Sequence, residues 1–596
     1  MVHIANSGNG NTLLLLEAGL AAIAFAFAFL APQFAASWFR RIEYGFARIA
    51  HRPWIAILSV GLTAPILRLA LLPLFPVPLP FVHDDFSLLL AADTFAHGRL
   101  ANPTPAMWTH FETFHVILQP TYVSMYFPGW GLLLAAGQVL FHSPWAAILC
   151  INALMCASFV WMLQAWLPPK WALLGGCVAI LRLSLFSYWI NTYLGGGPLL
   201  AFAGALILGA LPRLFKTGHF RYGLLMGAGI SILAITRPYE GLLLCFPVGA
   251  ALIHWAWKGK NCPPPAVLLW RASIPLALIF ATLAWLGFYD YRAYGCPTIL
   301  PYTIDRARYA VAPYFIWQHL RPIPHYRYDV MRRFYAVIEV QGYTSIQGFS
   351  GLLSRSFSKI LQAILFYGGF ALMPPLLMFR RVLLDRRVRF LVYCMLVLMA
   401  GQTIEIFMFL HYLAPFTVVF YALGLQAMRH LRLWKPEGRP VGRALVRLCV
   451  TVCVVMGCIR IGAVPLHLEQ NKWPGLETSI SWMGPGHWGT QRAAVQARLE
   501  KLPGPQLAIV RYAPCHSPLD EWVYNRADID ASKVVWAREE NPAADRALLH
   551  YYHDRTAWLV EPDTSPVTVI PYSAASPAPP STPTDCKLDH SGPEDQ

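Results

Sequence analysis

The sequence predicts a polytopic α-helical membrane protein, with about 12–13 transmembrane helices and a small α/β domain near its C-terminal end. Hydrophobic residues make up 56% of the 596-residue chain and charged residues only 13%, a balance that excludes an ordinary soluble protein of this length. Apolar segments of spanning length recur between Leu13 and Val464. The net charge of +16 gathers in short connections between them: Arg40, Arg41, Arg48, Arg52; Arg213, Lys216, Arg221; Arg380, Arg381, Arg386, Arg387, Arg389; Arg429, Arg432, Lys435, Arg439, Arg443. That distribution marks cytoplasmic loops held against anionic lipid. The charge therefore reports topology, with membrane lipids as partners and nucleic acid excluded.

The first apolar run, Leu13 to Ala36, lacks a basic flank ahead of it and a small-residue cleavage site, and reads as a retained span. Its Glu17 has no evident reason. Residues 1–53 are expected to be this helix and a cytoplasmic basic loop, and residues 54–464 the main membrane domain. A span from Trp54 to about Phe75 carries the chain outward and delivers His83-Asp84-Asp85-Phe86-Ser87 to the outer face. There a helix is expected, with Asp84 or Asp85 as N-cap, Leu88, Leu89, Ala92 and Phe95 on its apolar face and Gly98 ending it.

The segment Phe127 to Phe141 is short enough to be re-entrant or interfacial, and the charges of the following loops leave both its ends on the outer side. Further spans are expected at Trp145–Leu163, Trp171–Phe186, Pro198–Leu211, Leu224–Ile235, Gly241–Trp257, Ser273–Phe288, Ile360–Phe379, Phe390–Phe409, Tyr412–Met428 and Val446–Val464. Residues 77–126 and 290–358 are the large outer loops. No internal repeat is apparent, which weighs against inverted-repeat transporters.

Past the last span the periodicity changes. Gln491–Lys501 and Ala543–His553 read as helices, and Gln506–Tyr512, Lys533–Ala537 and Ala557–Glu561 as strands, so residues 465–563 form an extracytoplasmic α/β domain. It has no nucleophile elbow or glycine-rich phosphate loop, and an acceptor-positioning or structural role is expected. The Pro/Ser-rich tail 564–596 is expected to be disordered. Of the 12 cysteines, Cys150, Cys156, Cys177, Cys449 and Cys453 lie in apolar segments, Cys296, Cys515 and Cys586 are expected outside, and no CxxC occurs. The cysteines suggest neither a disulfide framework nor a zinc site.

Chemistry is expected where polar residues meet outer span ends. One helix cap needs one carboxylate, so the second of Asp84 and Asp85 remains for work as a general base, or as an anion orienting an acceptor or a metal. Asp84 is preferred for catalysis and Asp85 for capping. His110, Glu112 and His115 offer donors for a divalent metal ion, although on a helix the two histidines would diverge by about 140°; polar residues on an interfacial loop are the plainer reading. Arg237, with Tyr239 and Glu240, places a guanidinium where it can bind a phosphate bidentately. Glu405, His411, Tyr412 and Asn191 lie at outer span ends and complete the candidate substrate-binding set. The Gly195-Gly196-Gly197 turn reads as a flexible connection.

The order of these motifs resembles a known family. Asp84-Asp85 after an early span, then Ala91-Ala92-Asp93-Thr94-Phe95-Ala96-His97-Gly98-Arg99-Leu100, Tyr126-Phe127-Pro128-Gly129-Trp130-Gly131, Arg237-Pro238-Tyr239-Glu240 and His411-Tyr412-Leu413-Ala414-Pro415 are similar to GT-C glycosyltransferases, the bacterial relatives of protein O-mannosyltransferases and lipopolysaccharide-core transferases above all. The resemblance covers about Trp54 to Met428. It implies an enzyme of the bacterial cytoplasmic membrane that takes a sugar from a polyprenyl phosphate on the extracytoplasmic face and transfers it with inversion to a lipid, glycan or protein. By position it implies Asp84 or Asp85 as base, Arg237 for the lipid phosphate and His411-Tyr412 near the donor, and it makes Phe127–Phe141 a true span. The chain departs from the pattern in Phe127-Pro128, where Pro-Pro is usual, and in its extra N-terminal span. The competing classes are a transporter or flippase of a lipid-linked substrate, which calls for polar residues in mid-span, and a non-catalytic assembly protein.

Overall fold

The computed structural model describes residues 12–259, 262–466, 481–484, 489–514 and 516–572. Each apolar segment becomes a helix: α1 (Thr12–Leu30), α3 (Pro53–Ala70), α5 (Pro128–Phe141), α6 (Pro144–Trp166), α7 (Pro169–Ala179), α9 (Gly197–Thr217), α10 (Phe220–Ala234), α11 (Pro238–Lys258), α12 (Pro265–Tyr294), α16 (Gly348–Tyr367), α18 (Arg389–Ile404), α19 (Thr417–Arg432) and α20 (Val441–Ala463). The helices between them are α2 (Ala36–Ala50), α4 (His83–Ala96), α8 (Tyr188–Asn191), α13 (Pro301–Tyr309), α14 (Asp329–Arg332), α15 (Glu339–Thr344) and α17 (Phe379–Leu384). Among the described residues seven helices are long and apolar enough to cross a membrane, or eight if α16 is counted with its bent continuation. α5, α10 and α18 are shorter apolar helices of 10–17 residues.

The span expected at Ile360–Phe379 is not one continuous helix. α16 ends at Tyr367, and the path turns by 92° before it reaches Leu384. Gly368-Gly369, with Gly369 at a φ of 62°, and Pro374-Pro375 account for the break, since glycine accepts the left-handed turn and proline cannot continue the hydrogen-bond ladder.

Glu17 finds its reason beside that break. Its carboxylate lies 2.8 Å from the guanidinium of Arg182, in a π-helical turn after α7, and Arg182 also donates to the Leu365 carbonyl at 2.8 Å. Both side chains are buried. A Cβ on Gly369 would lie 2.6 Å from the Arg182 nitrogens and nearer still to the Glu17 carboxylate. The extra N-terminal helix is thus fastened to the bundle by an ion pair that neutralises two otherwise costly charges.

The connection between α4 and α5 folds on itself through β1 (Asn102–Pro103), β2 (Val116–Ile117) and β3 (Thr121–Ser124), in the antiparallel order β1-β3-β2. The C-terminal unit has the expected alternation: α21 (Thr490–Glu500), β4 (Gln506–Val510), β5 (Val534–Arg538), α22 (Pro542–Tyr551) and β6 (Thr556–Glu561). β5, β4 and β6 are parallel, and β4 and β5 are buried along their whole length, as a covered parallel sheet requires. One expectation is corrected. Residues 568–571, assigned to a disordered tail, form β7 (Thr568–Pro571), antiparallel to β6; the Val567-Thr568-Val569 alternation supplies an edge strand before the Pro/Ser run begins. The remainder of the tail, from residue 573, and Cys515 and Cys586 lie outside the described residues.

Sheet and loop share one core, in which Phe86, Leu90, Phe111 and Tyr122 pack with Leu507, Ile509, Tyr524 and Leu548. Phe86 stacks on Tyr524 at 4.5 Å, the Tyr122 hydroxyl donates to the Asn525 carbonyl at 3.1 Å, and the Ala527 amide donates to Asp93 at 2.9 Å.

Candidate active site

The site starts from the entry to α4. Val82 is extended and α4 begins at His83, so Asp84 and Asp85 both fall in the first turn, where carboxylates complement the helix dipole. Neither caps its own helix, which corrects the N-cap expectation: the helix starts ahead of both acids. Asp85 reaches backward instead. Its carboxyl accepts from the Phe81 amide (3.3 Å) and from the Tyr193 amide (3.1 Å), and so ties the incoming chain to the turn after α8. Burial, supported by the charge on Asp84, pushes its pKa up to about 8.

Asp84 faces the other way, into a cleft. The Tyr126 hydroxyl donates to its Oδ1, His115 Nδ1 lies 3.5 Å from that oxygen, and His83 Nδ1 lies 3.0 Å from Oδ2. Burial opposes the charge, but His83 and His115 override it and hold the Asp84 carboxyl well below the usual carboxylate range. The His115 ring is pushed down to about 4, by burial first and then by His83. An ionised carboxylate beside a neutral imidazole is the resulting state.

The opposite wall holds the second functional group. Arg237, between α10 and α11, donates to His411 Nε2 at 3.0 Å, and its guanidinium lies 3.6 Å over the Tyr412 ring. Because arginine only donates, His411 Nε2 is the acceptor, and its Nδ1–H is left to donate to the Tyr188 hydroxyl at 3.0 Å. Burial and the Arg237 charge both keep that imidazole neutral, well below its ordinary value.

Gly195 and Gly196 close the side of the cleft at φ of 74° and 67°. A Cβ on Gly195 would sit 2.5 Å from the His411 ring. The glycine turn is therefore a close-packed support rather than a flexible connection. Gly195→Ala is expected to displace His411 and to cost about 1–3 kcal/mol of stability, measured as a fall in the unfolding midpoint in detergent.

Asp84, Tyr126, Trp130, Gly195, Gly196, Arg237, Tyr302, His411 and Tyr412 line one cleft of about 520 Å³, counted to its open mouth. Of the residues singled out from sequence, Asp84, Arg237, His411 and Tyr412 meet there. The others have different places. Glu240 is buried 3.8 Å from Arg237, and the Tyr239 hydroxyl bonds the Gly401 carbonyl. Glu405 accepts from Gln402 Nε2 at 2.9 Å, and Asn191 bonds Arg68 at 3.0 Å. His110, Glu112 and His115 do not form one group: His110 bonds the Arg538 carbonyl at 2.8 Å, Glu112 accepts from Tyr309 at 2.8 Å, and only His115 reaches Asp84. The extended backbone at Glu112 and the positive φ of His115 separate them.

A different trio fits a divalent ion: the donor atoms of His83, Asp84 and His115 all lie within 4.8 Å of one another. Buried His83 Nε2 has no hydrogen-bond partner among the described residues. His83 stood in the motif that drew attention to Asp84, but its ring meets His115 only through the fold. Tyr126 was visible next to Phe127-Pro128. Tyr302, on α13, carried no sequence signal.

The fold and site together define a helical membrane protein with an acid and a guanidinium lining one cleft at the end of its bundle. No protein-family model matches the chain, and no curated protein matches it. Among solved structures, ArnT from Cupriavidus metallidurans bound to undecaprenyl phosphate is 13% identical, with 88% of this chain and 93% of that chain covered and a TM-score of 0.44. The Archaeoglobus fulgidus oligosaccharyltransferase in complex with Zn and sulfate is 12% identical, with 84% and 67% covered and a TM-score of 0.45. The archaeal oligosaccharyltransferase AglB with an inhibitory peptide and a dolichol-phosphate is 12% identical, with 85% and 69% covered and a TM-score of 0.40.

Proposed function

We propose that the chain is a GT-C-type inverting glycosyltransferase, which transfers a sugar from a polyprenyl-phosphate donor to an extracytoplasmic acceptor. The observation that carries this reading is the convergence of the Asp84 carboxyl and the Arg237 guanidinium on one cleft, with His411 and Tyr412 beside the arginine. Asp84 takes the proton of the acceptor hydroxyl as that oxygen attacks the anomeric carbon. The bond from the anomeric carbon to the phosphate oxygen breaks on the opposite face, and Arg237 stabilises the phosphate that leaves. Tyr126 and His115 hold Asp84 in place. Trp130, Tyr302 and Tyr412 give the sugar aromatic walls.

The sidedness is supported by helices that have cleft residues at one end and basic residues at the other. α9 starts beside Gly196 and ends near Lys216, α11 starts after Arg237 and ends at Lys258, and α19 follows Tyr412 and ends at Arg432. With the basic ends in the cytoplasm the cleft faces outward.

His83, Asp84 and His115 would hold a divalent cation, whose positive charge would acidify the acceptor hydroxyl when bound. Purified protein equilibrated with Zn²⁺ or Mn²⁺ is expected to retain a metal equivalent by elemental analysis, and His83→Gln to lose it while keeping its melting temperature. The direct test of function is transfer of radiolabelled sugar from a polyprenyl phosphate by the purified chain. Failure with every acceptor class, lipid, glycan and peptide, overturns it, and so does net movement of the intact lipid-linked sugar across a bilayer without transfer.

A further inference from the structure

A second cleft lies against the first. Ser356, Lys359 and Ile360 of α16 and Met399, Gln402 and Thr403 of α18 line it with Met408 and Leu413, and it measures about 290 Å³, counted to its open mouth. The segment after α18 separates the two clefts: Met408 and Leu413 line this one, while Phe409, His411 and Tyr412 line the other.

Lys359 is buried, and its ammonium donates to the carbonyls of Gln402 (2.7 Å) and Glu405. An ammonium has three donors, so one is left over. Among the described residues neither Lys359 nor Arg355, one turn earlier on the same stripe of α16, is paired with a carboxylate. The acid that acts on Lys359, Glu405, turns its own carboxylate to Gln402. A buried cation with no carboxylate at ion-pair distance among the described residues, and one donor left over, offers a seat for an anion. On the same helix Phe349, Leu353 and Phe357 are 83%, 61% and 66% exposed, the exposure of a lipid-facing surface.

We propose that this cleft is a second seat for a lipid phosphate, with the headgroup on Lys359 and the Ser356 hydroxyl, Arg355 adding its charge from one turn earlier on α16, and the chain across Ile360, Met399, Met408 and Leu413. The occupant is the polyprenyl phosphate carrier, entering or leaving the Arg237 seat on the far side of the 405–413 segment. That identity rests on the function proposed above; the anion seat does not. The plainer reading of Lys359 is that it only caps the carbonyl end of α18.

The test is a titration of the full-length chain, in phosphatidylcholine nanodiscs, with decaprenyl phosphate, counting bound equivalents by native mass spectrometry. Wild type is expected to take up two, Lys359→Met and Arg355→Gln to weaken one of them by about 30-fold, and Lys359→Arg to keep both. Arg237→Ala is expected to lose the other seat, and Arg237→Ala with Lys359→Met to lose both. If Lys359→Met binds as wild type and loses only thermal stability, capping is the whole role and the proposal falls. If phosphatidylglycerol or inorganic phosphate fills the second seat as well as decaprenyl phosphate does, the carrier assignment falls. If Lys359→Met loses an equivalent while Arg237→Ala loses none, the second seat stands and the donor-phosphate role of Arg237 is what fails.

Discussion

Asp84→Asn is expected to lower sugar transfer by about 10²- to 10⁴-fold while leaving binding of the polyprenyl phosphate unchanged. The substitution keeps the shape of the side chain and removes the charge that Tyr126, His83 and His115 converge on. Asp85→Asn is the contrasting case. Burial already keeps that carboxyl up to about 8, so little charge is lost, but an amide has one acceptor oxygen where the acid meets both the Phe81 and the Tyr193 N–H groups. Leaving one of them unpaired is expected to cost about 1–3 kcal/mol of stability and little of the rate per folded molecule. Unchanged turnover in Asp84→Asn, or a larger rate loss in Asp85→Asn, would remove Asp84 from the role of base.

Arg182→Met is expected to destabilise the protein by about 3–5 kcal/mol, read as a fall in the unfolding midpoint in detergent. The loss comes from Glu17, which stays buried without its partner, and from the Leu365 carbonyl at the bend after α16. Glu17→Leu combined with Arg182→Met removes both charges and is expected to recover most of the difference, because replacing a whole buried pair by apolar groups is close to neutral. A double variant as unstable as the single one would mean that the carbonyl contacts, and not the charges, hold α1 in place.

These two pairs also show how far the sequence could be read. Asp84, Arg237, His411 and Tyr412 were legible because polar groups at the ends of apolar helices are rare and their order along the chain was informative. His83 and Tyr126 stood inside motifs already noticed, but what they touch depends on how residues 83–126 fold back, and that rests on β-pairing within the loop and on a core shared with residues 507–548. No local pattern encodes either. Glu17 was visible as an anomaly, and its partner sits 165 positions away in a π-helical turn. The bend after α16 was written in Gly368-Gly369 and Pro374-Pro375, yet the hydropathy ran across it. β7 was hidden by the Pro/Ser composition of the residues behind it.

The core shared by residues 83–126 and the C-terminal sheet has a consequence for biogenesis. Helix α4 and strands β1–β3 leave the ribosome early, whereas the side chains that cover Phe86, Phe111 and Tyr122 come from residues made some 400 positions later, as with Tyr122 and Asn525 or His110 and Arg538. Contacts of such sequence separation form late. The loop that carries Asp84 therefore waits, incompletely packed, until the final strands have been made, and the surroundings of Asp84 are completed only once residues 507–548 have been synthesised.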